Sequence, residues 1–317
     1  MDVIMTAPRL AEPAVALLEA AGARIHYMQP FPKAAEVAAL ARAVDAVAIL
    51  SRQGPVTAEV MDAAPSLLIV ARHGVGVDDV DLAEAARRGI VVTRAPGSNT
   101  GAVAEHTLAL ILALAKRLPM FSAQVAGGGW RLGGDRGRDI AGLRLGLVGC
   151  GAIGRAVAGL AGAFGMEVAG YDPAVTAVPG FARITPDLPS LLQRADALSL
   201  HLPYTPATHH LIGAGELAFL PRGAIVINTS RGGLIDEAAL LEALESGQVE
   251  GAGLDVFEDE PPAPGHPLRG HAKVIATPHV AGVTDGSLIN MGVMAAECIV
   301  AVLGGRPVPE DRVVRAC

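Results

Sequence analysis

Leu145-Gly146-Leu147-Val148-Gly149-Cys150-Gly151-Ala152-Ile153-Gly154 is the stretch on which the fold turns. A short apolar run of strand type enters a Gly-x-Gly-x-x-Gly pattern, and 155–164 then reads as a helix. The chain holds 38 glycines, so the pattern alone says little; its position between a strand and a helix gives it weight. Gly149 would make the tight turn, Gly151 would leave bare backbone beside a pyrophosphate, and Gly154 would let helix and strand pack closely. The phosphates would then face the amides of the helix N-terminus. The next strand, 167–171, ends at Asp172. A carboxylate there can accept hydrogen bonds from adenosine ribose hydroxyls and repels a 2′-phosphate. Pro173-Ala174-Val175 follow without an Arg, so NAD is expected over NADP. FAD fits less well, since FAD enzymes usually carry this unit at the N-terminus. A strand–helix turn with no ligand is the bland alternative.

Outward from this motif, β-rich runs alternate with Ala/Leu-rich helical stretches, the sequence form of stacked βαβ units around parallel sheets. Strands are expected over 3–6, 24–27, 46–50, 67–71 and 90–93, with helices over 13–21, 34–44, 57–63 and 82–88. After the turn-rich Ala95-Pro96-Gly97-Ser98-Asn99, Asn99 or Thr100 caps a long helix expected to reach about residue 118. A Gly-rich link, 127–142, carries the single tryptophan, Trp130. A second βαβ series runs from 143 to 277, followed by a helix over 285–303 and a polar tail over 304–317.

The bulk numbers agree with an α/β protein of two domains. At 317 residues, with 51% hydrophobic and 18% charged residues, the chain can build large cores. Aromatics supply only 3%, so the packing should be aliphatic. The net charge of −7, with no basic run, gives no reason to expect nucleic acid. A small anionic substrate would be held by a local Arg, because lysines are limited to Lys33, Lys116 and Lys273. Cys150, Cys298 and Cys317 have no metal-ligand spacing, so no metal is expected, and their odd count suits a reducing interior. The start, Met1-Asp2-Val3-Ile4-Met5, lacks a basic segment and reads as a strand, not a signal peptide. The longest apolar stretch, 102–115, is interrupted by Glu105 and His106 and is shorter than the roughly 20 residues a bilayer requires. A cytoplasmic protein without membrane partners is therefore expected.

Three strand ends downstream carry polar residues out of keeping with their surroundings. The strand 224–227 leads into Asn228-Thr229-Ser230-Arg231-Gly232-Gly233. Arg231 would sit at the carboxyl edge of a parallel sheet, where such folds bind ligands, and its planar fork suits a carboxylate. A surface ion pair is the competing reading. The strand 251–254 leads into Asp255-Val256-Phe257-Glu258-Asp259-Glu260-Pro261-Pro262, an acidic loop that by itself reads as solvated. The strand 274–276 ends at Thr277-Pro278-His279, where His279 is a candidate acid/base among nine histidines. Together these segments describe a site for reducing a 2-oxo acid. Arg231 holds the carboxylate and polarises the ketone, and His279 supplies its proton as hydride arrives. One of the acidic residues would orient the imidazole and keep it protonated.

At this point the chain resembles the D-isomer-specific 2-hydroxyacid dehydrogenase family, over nearly its whole length. The nucleotide motif over 145–154 is similar to the family's. So are the segments from Leu191 through His201-Leu202-Pro203 to Thr208, and from Leu220 through Asn228-Thr229-Ser230-Arg231 to Asp236. His73-Gly74-Val75-Gly76-Val77-Asp78 and Asn99-Thr100 through Ala104-Glu105 also look like family segments. The resemblance implies a catalytic set of Arg231, Glu260 and His279, selecting Glu260 from the acidic loop as the His partner. It implies that Asp255 meets the nicotinamide carboxamide. It places Gly149, Gly151, Ala152, Ile153, Gly154, Asp172, His201, Pro203, Thr208, Thr229, Ser230, Arg231, His279 and Gly282 on nucleotide-contacting segments. Backbone amides at Val75 and Gly76 would take the substrate carboxylate. Glutamate at 260 argues against a formate dehydrogenase.

The family fold implies two Rossmann-like domains: a flavodoxin-like substrate domain over 1–96 plus 285–317, and an NAD-binding domain over 97–284 inserted in it. The cleft between them is expected to close on substrate, the helix 100–118 to pair copies into a homodimer, and no regulatory domain to follow residue 317. The substrate expected first is hydroxypyruvate/glycerate or a similar small acid. Phosphoglycerate is the alternative. Phosphoglycerate dehydrogenases usually place an Arg before the Ser that aligns with Ser51, and Leu50 stands there, although Arg52, Arg72 or Arg94 could serve. A sulfonated acid is also open. A different class, an NAD(H)-responsive corepressor on the same fold, is the remaining alternative.

Overall fold

A computed structural model of the chain describes residues 1–131 and 133–315; Cys317 lies outside them. The chain divides into two compact units, Met1–Asn99 with Val283–Cys317, and Thr100–Gly282.

The first unit alternates β1 (Asp2–Met5), α1 (Glu12–Ala20), β2 (Arg24–Tyr27), α2 (Ala34–Val44), β3 (Ala48–Ser51), α3 (Ala58–Ala63), β4 (Ile69–Arg72), α4 (Leu82–Arg88) and β5 (Val91–Thr93). The five strands are parallel in the order β2-β1-β3-β4-β5. Strand periodicity explains its two cores: successive side chains alternate faces. Ile4, Ile49, Val70 and Val92 point to the side covered by α2 and α3. Val3, Met5, Leu50, Ile69 and Ala71 point to the other, with Ala14 and Leu18 of α1.

The second unit starts with α5 (Thr100–Ala115) and α6 (Leu118–Ala126). It continues through β6 (Arg144–Val148), α7 (Ala152–Ala163), β7 (Glu167–Tyr171), β8 (Arg183–Ile184), α8 (Leu188–Leu192) and β9 (Ala197–Leu200). Then come α9 (Ala214–Phe219), β10 (Ala224–Asn228), α10 (Glu237–Glu245), β11 (Val249–Leu254) and β12 (Val274–Ala276). Its seven strands are all parallel, in the order β8-β7-β6-β9-β10-β11-β12. The chain winds outward from β6 in one direction and from β9 in the other. The β6/β9 boundary is therefore the switch point at which open α/β sheets bind ligands. Leu145, Leu147, Ala197, Ile225 and Ile227 pack on the α5/α7 side; Val148, Leu198, Leu200, Val226 and Leu254 pack on the α8–α10 side.

The chain then returns to the first unit as α11 (Asp285–Leu303) and β13 (Val313–Val314). β13 pairs antiparallel with β5 and closes that edge of the sheet. Among the described residues α11 is by itself long and apolar enough to cross a membrane, and α5 with α6 passes only as a pair bent by 59°. α11 is used here as a core helix: Met291, Gly292, Ala295, Ala296, Cys298 and Ile299 form its buried face, at the spacing of one helical stripe.

Most boundaries fall within one or two residues of the sequence expectation, and three features differ by more. The helix expected to reach 118 stops at Ala115. Arg117 adopts a left-handed conformation with φ 54°, and Pro119 opens a separate helix, the position where a missing N–H costs least. None of the residues of α6 is buried, although nearly all are apolar. The helix after the glycine motif begins at Ala152, not 155, so the motif's last residues already lie in its first turn. The tail read only as polar contributes β13.

Candidate active site

The glycine turn shows why two of its three glycines are needed. Gly149 has φ +93°, and a Cβ there would lie 2.3 Å from the His201 carbonyl oxygen. A Cβ on Gly154 would lie 2.2 Å from the carbonyl oxygen of Gly149, so helix and turn meet backbone to backbone. Gly151 is different: it faces open space and is the N-cap of α7, with no side chain capping the first amides. Those amides, including the turn around Ala152 and Ile153, remain available to an anion. Asp172 closes the far side. Its Oδ2 accepts from the Cys150 amide at 2.9 Å and its Oδ1 from the Ala174 amide at 2.9 Å, fixing a carboxylate at the end of β7. Bare backbone, uncapped amides and a fixed carboxylate at a switch point fit NAD.

His201, at the end of β9, bonds Ser199 Oγ through Nε2 at 2.9 Å. Burial pushes its pKa down to about 3, so the ring is neutral and belongs to the wall behind the turn. Pro203 and Thr208 lie on the exposed segment that follows. Thr208 Oγ1 donates to the Pro203 carbonyl at 3.0 Å and accepts from the Thr205 amide at 2.8 Å, shaping that loop.

Arg231 follows β10 on a turn built by Asn228. The Asn228 side chain donates to the Arg231 carbonyl at 2.8 Å and accepts from the Ser230 amide at 3.0 Å. Ser230 Oγ donates to the Leu200 carbonyl at 2.6 Å, and Arg231 Nη1 donates to the Ser230 carbonyl at 2.7 Å. The turn lies directly against the loop after β11: a Cβ on Gly232 would sit 1.9 Å from the Phe257 carbonyl carbon. Only glycine permits that approach, and it brings Arg231 beside the acidic loop.

The loop bearing His279 is organised around Asp255, which is buried. Its Oδ1 accepts from Thr277 Oγ1 at 2.5 Å and from the Val280 amide at 2.9 Å; its Oδ2 accepts from the Ala281 amide at 2.8 Å. Its carbonyl accepts from the His279 amide at 2.8 Å. These bonds hold His279 at φ 53°, a conformation an L-residue adopts only when its surroundings impose it. Gly282 ends this unit three residues later.

Glu260 meets His279: its Oε2 lies 2.7 Å from Nδ1, and its Oε1 accepts from the Phe257 amide at 3.2 Å. Burial alone would raise the Glu260 carboxyl. The hydrogen bond and charge of His279, the Phe257 amide and the Arg231 charge outweigh it and hold the carboxyl below its ordinary range. Nδ1 is thereby occupied, and the half-exposed ring keeps Nε2 for proton exchange. Of the acidic loop, Glu258 and Asp259 are not the imidazole's partners; Glu258 pairs with His210.

Val75 and Gly76 belong to the other unit, in the loop after β4. Arg72 ties this loop down, donating from Nε to the Gly76 carbonyl at 2.8 Å and from Nη1 to Asp79 Oδ2 at 2.7 Å and Ser51 Oγ at 3.2 Å. Arg52, next to Ser51, is half-buried, and burial lowers its pKa. No acidic partner for it occurs among the described residues.

Two supporting residues escaped the sequence reading. Thr107 Oγ1 lies 3.0 Å from Thr229 Oγ1, and His106 Nε2 lies 3.1 Å from Thr277 Oγ1. Adjacent residues of α5 thus buttress the Arg231 turn and the His279 loop. The available signal was a polar pair inside an otherwise apolar helix, with Thr107 fully buried.

Comparison with known proteins places the chain in a family. The sequence model of the D-isomer specific 2-hydroxyacid dehydrogenase NAD binding domain matches residues 108–281. A D-3-phosphoglycerate dehydrogenase of Archaeoglobus fulgidus is 41% identical over 262 residues, covering 82% of this chain and 50% of that protein. The chain thus spans about half the length of the curated phosphoglycerate dehydrogenases it matches. A glyoxylate reductase of Korarchaeum cryptofilum is 40% identical over 269 residues, covering 80% of this chain and 79% of that protein. Among solved structures, the TT0316 protein of Thermus thermophilus superposes with a TM-score of 0.91 at 40% identity, covering 99% of this chain and 100% of that one. The chain belongs to the D-isomer-specific 2-hydroxyacid dehydrogenase family.

Proposed function

We propose that the protein interconverts a small D-2-hydroxy acid and its 2-oxo acid, with NAD(H) as the hydride carrier. The observation that carries this reading is the Glu260–His279 pair, set on a turn organised by Asp255 and accompanied by the Arg231 turn. Arg231 holds the substrate carboxylate and draws charge toward the C2 oxygen. His279 Nε2 takes the hydroxyl proton during oxidation and returns it to the oxo group during reduction, while Glu260 fixes the ring through Nδ1. NAD bound at the 149–154 turn and Asp172 supplies the acceptor for the C2 hydride. Asp255 has one carboxylate lone pair beyond its three bonds, enough for a carboxamide N–H. Val75 and Gly76 offer backbone amides to the substrate carboxylate.

Sequence alone ranked hydroxypyruvate/glycerate first, on the Leu50 substitution. The named relatives favour 3-phosphoglycerate, and Arg52 supports that order: a half-buried guanidinium with no counter-carboxylate among the described residues suits a second anionic group on the substrate. Hydroxypyruvate/glycerate remains the second reading, favoured by Leu50. We also propose a homodimer, because an apolar α6 with no buried residue needs a partner surface.

The test is NAD-linked turnover of 3-phosphoglycerate, D-glycerate and D-lactate, and NADH-linked turnover of their oxo acids. 3-Phosphoglycerate should have the highest kcat/KM. His279→Ala should lower kcat by roughly 10²–10⁴-fold, with NADH binding retained. No turnover of any acid would sink the proposal, and an unimpaired His279→Ala would remove that residue from the mechanism.

A further inference from the structure

We infer that His209, His210 and Glu258 form a binding site for a divalent transition-metal ion, with zinc as its natural probe. The three side chains offer ligand atoms that all lie within 4.8 Å of one another. They come from two segments 48 residues apart in sequence, which is why no ligand spacing is readable along the chain. None of the three residues takes part in the chemistry assigned to Arg231, Glu260 and His279, although Glu258 stands on the loop that carries Glu260.

The cluster has the features of a built site. The His209 and His210 rings are stacked, with centroids 3.8 Å apart and planes inclined by 26°. Consecutive residues normally direct their side chains apart, and His210 achieves this arrangement at φ 50°. Its backbone is pinned, with the amide donating to the Gly233 carbonyl at 2.8 Å. Tyr204 Oη lies 3.2 Å from His209 Nδ1. With Nδ1–H donated to that oxygen, Nε2 of His209 carries the free lone pair, which is the outer-partner arrangement usual for a metal-ligating imidazole. His210 directs its own Nε2 at Glu258 Oε1. Glu258 is held in turn, its amide donating to Glu237 Oε1 at 3.0 Å, while Glu237 Oε2 meets His266 Nε2 at 2.9 Å.

Two imidazole nitrogens and one carboxylate oxygen are the ligand types of a three-residue zinc site. An ion held by these three side chains would take Zn–N near 2.0–2.1 Å and Zn–O near 2.0–2.2 Å. The carboxylate compensates one of the ion's two charges, and a fourth position stays open to water. Imidazole and carboxylate together favour zinc and its first-row neighbours over calcium or magnesium, which prefer all-oxygen sets. In the absence of metal, the His210–Glu258 contact occupies two of the three groups.

The experiment uses the full chain, stripped with a chelator and titrated with Zn²⁺ by calorimetry, with an indicator competition as a second readout. Wild type should bind one Zn²⁺ per chain. His209→Ala and Glu258→Gln should each weaken that binding by at least about tenfold, since losing even an outer partner of a ligand costs roughly 10–100-fold. His271→Ala, outside the cluster, should leave it unchanged. Circular dichroism of each variant verifies that it is folded. Absence of stoichiometric Zn²⁺ binding by wild type overturns the inference, as does binding that survives unchanged in the folded His209→Ala, Glu258→Gln double variant.

Discussion

Acid should destabilise the first unit through His73, and the size of the effect follows from that residue's surroundings. His73 is only 5% exposed. Its pKa is lowered from 6.5 to about 4, first by burial and then by the charges of Arg52 and Arg72. The unfolded chain therefore takes up the proton before the folded one. The stability this residue contributes is complete above pH 6.5, falls as pH drops toward 4, and does not change further below that. The full gap corresponds to about 3.4 kcal/mol, and at pH 5 about 2 kcal/mol of it is already lost. His73→Gln removes the titrating ring while keeping a polar side chain. From pH 7.5 to 5, wild type should lose about 2 kcal/mol more than the variant. The assay is hydrogen exchange of the β4 amides through a urea series at each pH, corrected for the intrinsic exchange rate. His201 also stays neutral in the fold and titrates low, but it is common to both proteins and cancels. Parallel pH profiles for the two proteins would refute the argument, since they would mean that His73 is protonated as readily folded as unfolded.

Two further outcomes follow from the cofactor turn and from α6. Asp172→Ala removes the fixed carboxylate at the end of β7, so the NAD over NADP ratio of kcat/KM should fall by an order of magnitude or more, about what loss of one nearby like charge allows; a wild type already preferring NADP would contradict the role given to Asp172. Leu118→Glu with Val125→Glu places two charges on the exposed apolar face of α6, and sedimentation should show the protein shifting from dimer to monomer; a monomeric wild type would remove α6 as a pairing surface.

The sequence was most legible where local pattern and tertiary role coincide. The strand–glycine turn–helix around 145–154 could be read because its backbone demands are local, and β3, β4 and β10 because strands buried on both faces are nearly continuous apolar runs. Legibility failed where a conformation depends on distant partners. Residues 102–118 carry no breaker that would end the helix at Ala115, and the break at Arg117 depends on a single left-handed residue ahead of Pro119. β13 is two residues long and exists because β5 has an open edge. At the site, the choice among Glu258, Asp259 and Glu260 could not be made from the residues themselves, since an irregular loop has no period to point one carboxylate at an imidazole. Family resemblance selected Glu260; the contact with His279 supplies the physical reason. The pair His106 and Thr107 was missed because their partners, Thr277 and Thr229, lie more than a hundred residues away.

The return of the chain to its first unit has a consequence for biosynthesis. α1 packs against α11, and the free edge of β5 is covered by Val313–Val314. While the polypeptide emerges from the ribosome, N-terminal part first, its opening hundred residues must wait with one apolar face uncovered. The interior segment, which carries all of its own strands, can reach its native arrangement earlier. The N-terminal block is thus the last to mature, and shortened translation products ending before α11 should be the ones that chaperones and proteases handle most.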